Sequence, residues 1–192
     1  MTQMNDRPEL VLRADNDNLH QLPTASGDTA SMLGAEQPVL DAHGLIERLA
    51  LVNAIVVLRI KLAFPLEVFA AAAQPLIDGF AELVQMLPVR GSVRFGQPGG
   101  HLQLGLTTAL RSLERRRGQI LPRGAAPEVI GELSHRWTYA VFVAALLRDV
   151  GRVSEGCQVR IRSGVGLDCL WIPAMGSMRD CGAQTKSEER RV

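Results

Sequence analysis

Apolar residues first fall into a helical rhythm after Pro38. Leu45, Leu49, Val52, Val56 and Ile60 recur at three- and four-residue spacing behind Asp41, whose short carboxylate suits an N-cap. This spacing predicts a helix of about twenty residues, ended or interrupted by Pro65. A second helix is predicted over 66–87, bent or split at Pro75 and stopped by Pro88, because proline lacks an N–H and crowds the preceding turn. Residues 89–100, VRGSVRFGQPGG, form a loop in which Gly99 and Gly100 permit a tight turn or a close backbone approach. From His101 to Gly118 a third helix turns Leu102, Leu106, Leu110 and Leu113 inward and ends on Arg115-Arg116-Arg117, cations that suit a helix C-terminus. The stretch 132–152, ELSHRWTYAVFVAALLRDVGR, is apolar from Trp137 to Leu147 except at Thr138. With no clean polar face it is expected to be buried on most sides, the central helix of the domain, with Gly151 as its C-cap.

Past Gly151 the period changes. Residues 158–161 alternate polar and apolar, 163–166 carry turn chemistry, and 167–172 read as a second short strand, together a small appended hairpin. Beyond Pro173 the periodicity fades, and 186–192 reads as a frayed, charged tail. Residues 1–37 are mixed and polar, with too little apolar surface to offset ordering, and are expected to form a disordered or loosely docked arm. The expected organisation is an arm over 1–37, a mainly α domain with a C-terminal hairpin over 38–185, and the tail.

At 192 residues the chain is long enough for one domain with a real core. Aromatics are sparse and the apolar mass is Ala, Leu and Val, which favours helices. Charge is balanced overall but unevenly placed. Residues 1–89 carry 5 Lys/Arg and 11 Asp/Glu, whereas residues 90–192 carry 16 and 9. An Arg-rich back half suits a phosphate backbone, so DNA is the expected partner, with Arg94, Arg115, Arg116, Arg117 and Arg123 as candidate contacts. Solvated faces and helix-dipole partners are the alternative explanation of the same arginines. Cys157, Cys169 and Cys181 form no CxxC pair, and an odd count speaks against a disulfide framework. The apolar run 49–58 is too short to cross a bilayer, and no leader pattern opens the chain; a cytoplasmic protein without membrane insertion is expected.

Several pieces together resemble one family. These are Leu87-Pro88; Gly96-Gln97-Pro98-Gly99-Gly100; Arg116-Arg117-Gly118 followed by Leu121-Pro122; Arg136-Trp137 with Ala140-Val141-Phe142; and Ala144-Ala145-Leu146-Leu147 before Asp149-Val150-Gly151. Their order and spacing over about 62–183 resemble the N-terminal TraI-type domain of MobH-class conjugative relaxases from integrating conjugative elements. The run Leu146-Leu147-Arg148-Asp149-Val150-Gly151 is also similar to the metal-helix ending of HD-type phosphohydrolases. The resemblance implies an HD-like helical bundle. It also implies metal-assisted cleavage of one DNA strand on a histidine and aspartate set, within a relaxosome of conjugation proteins.

Carried over residue by residue, most of that set is missing. The family's histidine cluster falls on Val93, Arg94 and Phe95, a further histidine on about Leu104, and the histidine of the His–Asp pair on Arg148. A guanidinium cannot ligate a metal. Only Asp149 remains, as a remnant catalytic candidate, with His101 and Asp149 as weak metal candidates. His135 is too far along the helix from Asp149 to share an ion with it. The expectation is therefore a catalytically degenerate domain without a metal cofactor, acting in DNA binding or assembly. The alternative is an HD-type nuclease or phosphohydrolase with relocated ligands and a divalent metal. A truncated relaxase remnant is a third possibility, since a full relaxase of this kind carries a further C-terminal region.

Overall fold

A computed structural model describes residues 35–155 and 157–190. Among them are five helices and a four-stranded antiparallel sheet. The helices are α1 (Ala42–Arg48), α2 (Val52–Leu62), α3, α4 (Gly100–Arg117) and α5 (Pro127–Leu147). Helix α3 is one run of Leu66–Val68, a π-helical Phe69–Ala73 and Gln74–Val84. The strands are β1 (Gln37–Pro38), β2 (Cys157–Ser163), β3 (Asp168–Trp171) and β4 (Ala183–Arg190), in the order β1-β4-β2-β3.

Asp41 caps α1 as the sequence predicts, accepting from the Gly44 N–H at 2.8 Å. The predicted twenty-residue helix is instead two, broken at 49–51 where Ala50 takes φ 53°. The break rotates the second piece. Leu51, Ala54, Leu58 and Leu62 face the core, whereas Val52, Val56 and Ile60, expected inward, are exposed. Pro75 does not split α3: the wide π-turn just before it absorbs the missing N–H. The Tyr139 hydroxyl donates to the Ala72 carbonyl in that turn, at 3.3 Å. The helix ends at Gln85, held at φ 45°, ψ −142°. That residue's buried amide accepts from the Leu40 N–H at 3.1 Å and donates to the Leu40 carbonyl at 2.9 Å, fixing the chain before α1 to the end of α3.

The central helix is α4. Leu102, Leu106, Leu110 and Leu113 are all buried, as predicted. At Gly105 a Cβ would lie 2.5 Å from the Phe80 ring of α3 and 3.3 Å from the Leu146 carbonyl of α5. Its missing side chain is what lets three helices meet. The expectation that 132–152 is the buried centre is corrected: of α5 only Phe142, Ala145 and Leu146 are buried. The helix also ends at Leu147 with Arg148 as C-cap, followed by a 3₁₀ turn over Val150–Arg152, so Gly151 is not the cap.

The hairpin is present as β2 and β3, paired from Val159↔Trp171 to Arg162↔Asp168. The frayed tail is corrected: Ala183–Arg190 is a full strand alongside β2, from Cys157↔Arg190 to Ser163↔Ala183. From the front of the chain, β1 adds to its other side through Gln37↔Lys186 and Pro38↔Thr185. Gln37, placed in the arm by sequence, is thus a strand residue, while the arm's residues 1–34 lie outside the described residues. No described helix is long and apolar enough to cross a membrane.

Candidate functional site

The loop before α4 sets the site. Backbone bonds from Val89 N to Phe95 O (2.8 Å), Gly99 N to Met86 O (2.9 Å) and His101 N to Leu87 O (3.1 Å) fold 86–101 onto itself. A Cβ on Gly100 would sit 1.8 Å from the Phe95 carbonyl oxygen, so only glycine fits this close approach, which the sequence had signalled. The consequence is that His101 enters α4 buried, at 4% exposure, on the floor of a cleft. Val89, Arg90, Leu104, Asp149, Arg152 and Glu155 complete its lining.

His101 and Asp149, the two weak metal candidates, therefore do come together. Their surroundings are not those of a metal centre. Among the described residues no group of three His, Cys, Asp or Glu side chains is placed to hold an ion. One Asp149 oxygen, Oδ2, accepts from Arg148 Nη2 at 2.8 Å and Nε at 3.1 Å. The donor set does not fit a divalent cation, which needs more than one imidazole beside an engaged carboxylate. Burial pushes the His101 pKa down; Asp149 opposes this, Arg152 adds to it, and Glu155 and Glu188 oppose it. The cleft encloses at most ≈ 260 Å³ of empty space, open to solvent, below the roughly 300–1,000 Å³ of small-molecule sites.

Behind the cleft lies a polar cluster that sequence reasoning missed. Lys186 and Glu188 of β4 point inward, where Nζ donates to Oε1 at 2.6 Å. Glu188 also faces Arg90 at 4.0 Å, and the Arg90 Nε is buried without a described partner. Burial, followed by Glu188, pushes the neighbouring Cys157 thiol up in pKa, with Arg90 opposing. The cysteines are free: Cys157 is buried, Cys169 exposed and Cys181 half-buried.

The arginines divide into two sets. Those of the sheet and its approaches are matched by carboxylates: Arg152 by Glu155, Arg160 by Glu189, Arg162 by Asp168 and Glu36, and Arg179 by Glu82. Arg48, Arg59, Arg94, Arg111, Arg115, Arg117, Arg123 and Arg136 have no carboxylate partner among the described residues, and all are exposed. Arg116 departs from the DNA-contact expectation. It turns back to donate to the Gln119 carbonyl at 2.7 Å and the Ser134 carbonyl at 3.4 Å, closing the end of α4 against α5. Arg94 leans on the Phe95 ring, 5.3 Å from its centroid, and Arg123 reaches the Gln119 side chain at 3.4 Å. His135 is exposed, edge-on to Phe64 and apart from the cleft.

A helical domain carrying an appended sheet, a His–Asp cleft and an uncompensated cationic helix end is the frame for the family comparison. Residues 43–192 match the TraI_2 family, whose description reads “Putative helicase”. The chain belongs to that family and is a TraI-type domain over those residues. Membership points to conjugative DNA transfer in a relaxase- or helicase-like setting. Among curated proteins, none matches the chain closely enough to count as a relative.

Proposed function

We propose that this chain is a catalytically degenerate TraI-type domain, related to MobH-class relaxases and their HD-like core, that binds DNA or assembles with other conjugation proteins. The observation that carries the reading is the cleft itself. It sits where the resemblance puts the metal, yet pairs His101 with an Asp149 already held by Arg148, beside two more arginines. A cleft that offers one imidazole and an aspartate already engaged by arginine, its other charges paired, cannot polarise a phosphodiester through a two-metal arrangement. The sequence also contains no G-x-x-x-x-G-K-[ST] stretch, so these residues do not carry a P-loop nucleotide site for helicase work.

What remains is the exposed cationic end of α4. Arg115 and Arg117 close the helix, Arg111 lies one turn earlier, and Arg123 follows in the linker, none of them neutralised among the described residues. Binding through them is non-specific and salt-sensitive, because each neutralised phosphate releases counterions. The test is DNA affinity across a salt series for the wild type and for Arg115→Gln/Arg117→Gln/Arg123→Gln. The triple variant should flatten the slope of log affinity against log salt by up to about three units. Arg160→Gln, in the compensated sheet, serves as the control. If the triple variant keeps the wild-type slope while folded, the DNA reading fails and assembly becomes the better function.

A further inference from the structure

Helices α4 and α5 pack antiparallel in a register fixed by two contacts. Arg116 Nη2 lies 3.4 Å from the Ser134 carbonyl oxygen, and a Cβ on Gly105 would stand 3.3 Å from that of Leu146. Trp137 of α5 is therefore level with Leu113 of α4. Which side of the pair it takes follows from a turn of about 100° per residue. On α4 the four buried leucines face the core, so Ser112 and Arg115 fall on the outer side of the helix where it borders α5. On α5, Tyr139 and Phe142 turn to the core and α3, which sends Trp137 to the outer side as well. The surface groove between the two helices thus carries Trp137 on one wall and Arg115 on the other, with Arg111 one turn before it.

Trp137 is 38% exposed, and among the described residues its indole stacks on no other ring and meets no guanidinium. The other tryptophan, Trp171, is buried and donates its N–H to the Gly176 carbonyl at 3.0 Å. A flat ring left half in water beside uncompensated guanidinium groups suits single-stranded nucleic acid, whose bases stack on the ring while its phosphates meet the charges. A duplex brings the same phosphates but keeps its bases stacked inside. An acidic peptide satisfies the arginines but has no base to lay on the indole. We propose that Trp137 is a stacking platform for an unpaired base of single-stranded DNA whose phosphates lie on Arg115 and Arg111. This site rests on the reading of the α4 arginines as DNA contacts, and adds to it the form of the DNA and an aromatic contact that phosphate binding alone does not need.

Titration of the full chain with an oligothymidylate of about 12 nucleotides, and with a duplex of the same length, tests it at one salt concentration. Oligothymidylate should quench the tryptophan emission, and because Trp171 is buried the quench should vanish in Trp137→Leu. By anisotropy of labelled DNA, Trp137→Leu should bind oligothymidylate about 5- to 100-fold more weakly and the duplex as tightly as the wild type does. Its slope of log affinity against log salt should be unchanged, since no charge is removed. Trp137→Phe, which keeps a ring, should recover most of the loss, and melting curves check that both variants are folded. Wild-type affinity of a folded Trp137→Leu for oligothymidylate, or equal losses on the two DNAs, would overturn the stacking site while leaving an arginine-dependent salt slope, and with it the DNA reading, in place. A wild type that binds neither DNA overturns both.

Discussion

His101 shows how far single residues speak before folding. Its position after Gly99–Gly100 marked it as a group the tight turn could deliver to a site, and the turn does so. Nothing in the sequence ties Arg90 to it, because Arg90 acquires its partner Glu188 only through the strand order of a distant sheet. The burial of His101 has a measurable consequence. Asp149, Arg152, Glu155 and Glu188 face the ring, but desolvation is the largest influence and holds its pKa below the ordinary 6.5. At higher pH the ring is neutral folded and unfolded, and adds no pH dependence. As pH falls through 6.5, the unfolded chain takes up the proton first, so folding stability drops until the folded ring also protonates. Denaturant midpoints measured between about pH 7 and pH 5 should therefore fall more steeply for the wild type than for His101→Gln. Parallel profiles would remove His101 as the source.

Among whole elements, the helices were legible where one face alone is apolar, as in α4, and misjudged where two are. Helix α2 is apolar on both sides, so the pattern fixed its existence but not which side turns inward; the break at Ala50 decides that. Helix α5 was placed at the centre because apolar character usually means burial, and this fold leaves one side bare. Strand β4 failed for the opposite reason. A segment reading Lys-Ser-Glu-Glu-Arg looks solvated, yet Lys186 and Glu188 are its inward residues, against Ile161 and Val159 of β2. An ion pair buried this way is poor at adding stability but costly to break. Lys186→Met should lower unfolding free energy by about 3–5 kcal/mol, leaving Glu188 with only the more distant Arg90. Lys186→Met/Glu188→Leu should recover most of that loss, since Arg90 is partly exposed and can turn to water. Equal losses in the single and double variants by urea unfolding would show that the pair does not act as a unit.

For the molecule as a whole, the mainly helical class and the hairpin were readable from periodicity, whereas the joining of the two ends was not. Pairing between β1 and β4 links positions about 150 residues apart, and no local pattern encodes such a partner. The front of the domain is thus held twice: by β1, with Val39 N–H donating to the Gln184 carbonyl at 2.9 Å, and by Gln85, whose amide grips Leu40 on both backbone groups. Glu36 adds a surface pair with Arg162. These contacts place the functional start of the fold near residue 35, and two truncations test it. Removing residues 1–34 takes away a polar segment with little apolar surface and should move the melting temperature by less than about 5 °C. Removing residues 1–40 also deletes β1 and leaves the Gln85 amide, at 0% exposure, without its Leu40 partners. An orphaned buried amide alone costs roughly 1–3 kcal/mol, so the longer cut should lower the melting temperature by about 5–10 °C. Thermal melts of the three chains followed by circular dichroism decide the matter. Equal melting of the two truncated chains would show that neither β1 nor the Gln85 clasp holds the front of the domain in place.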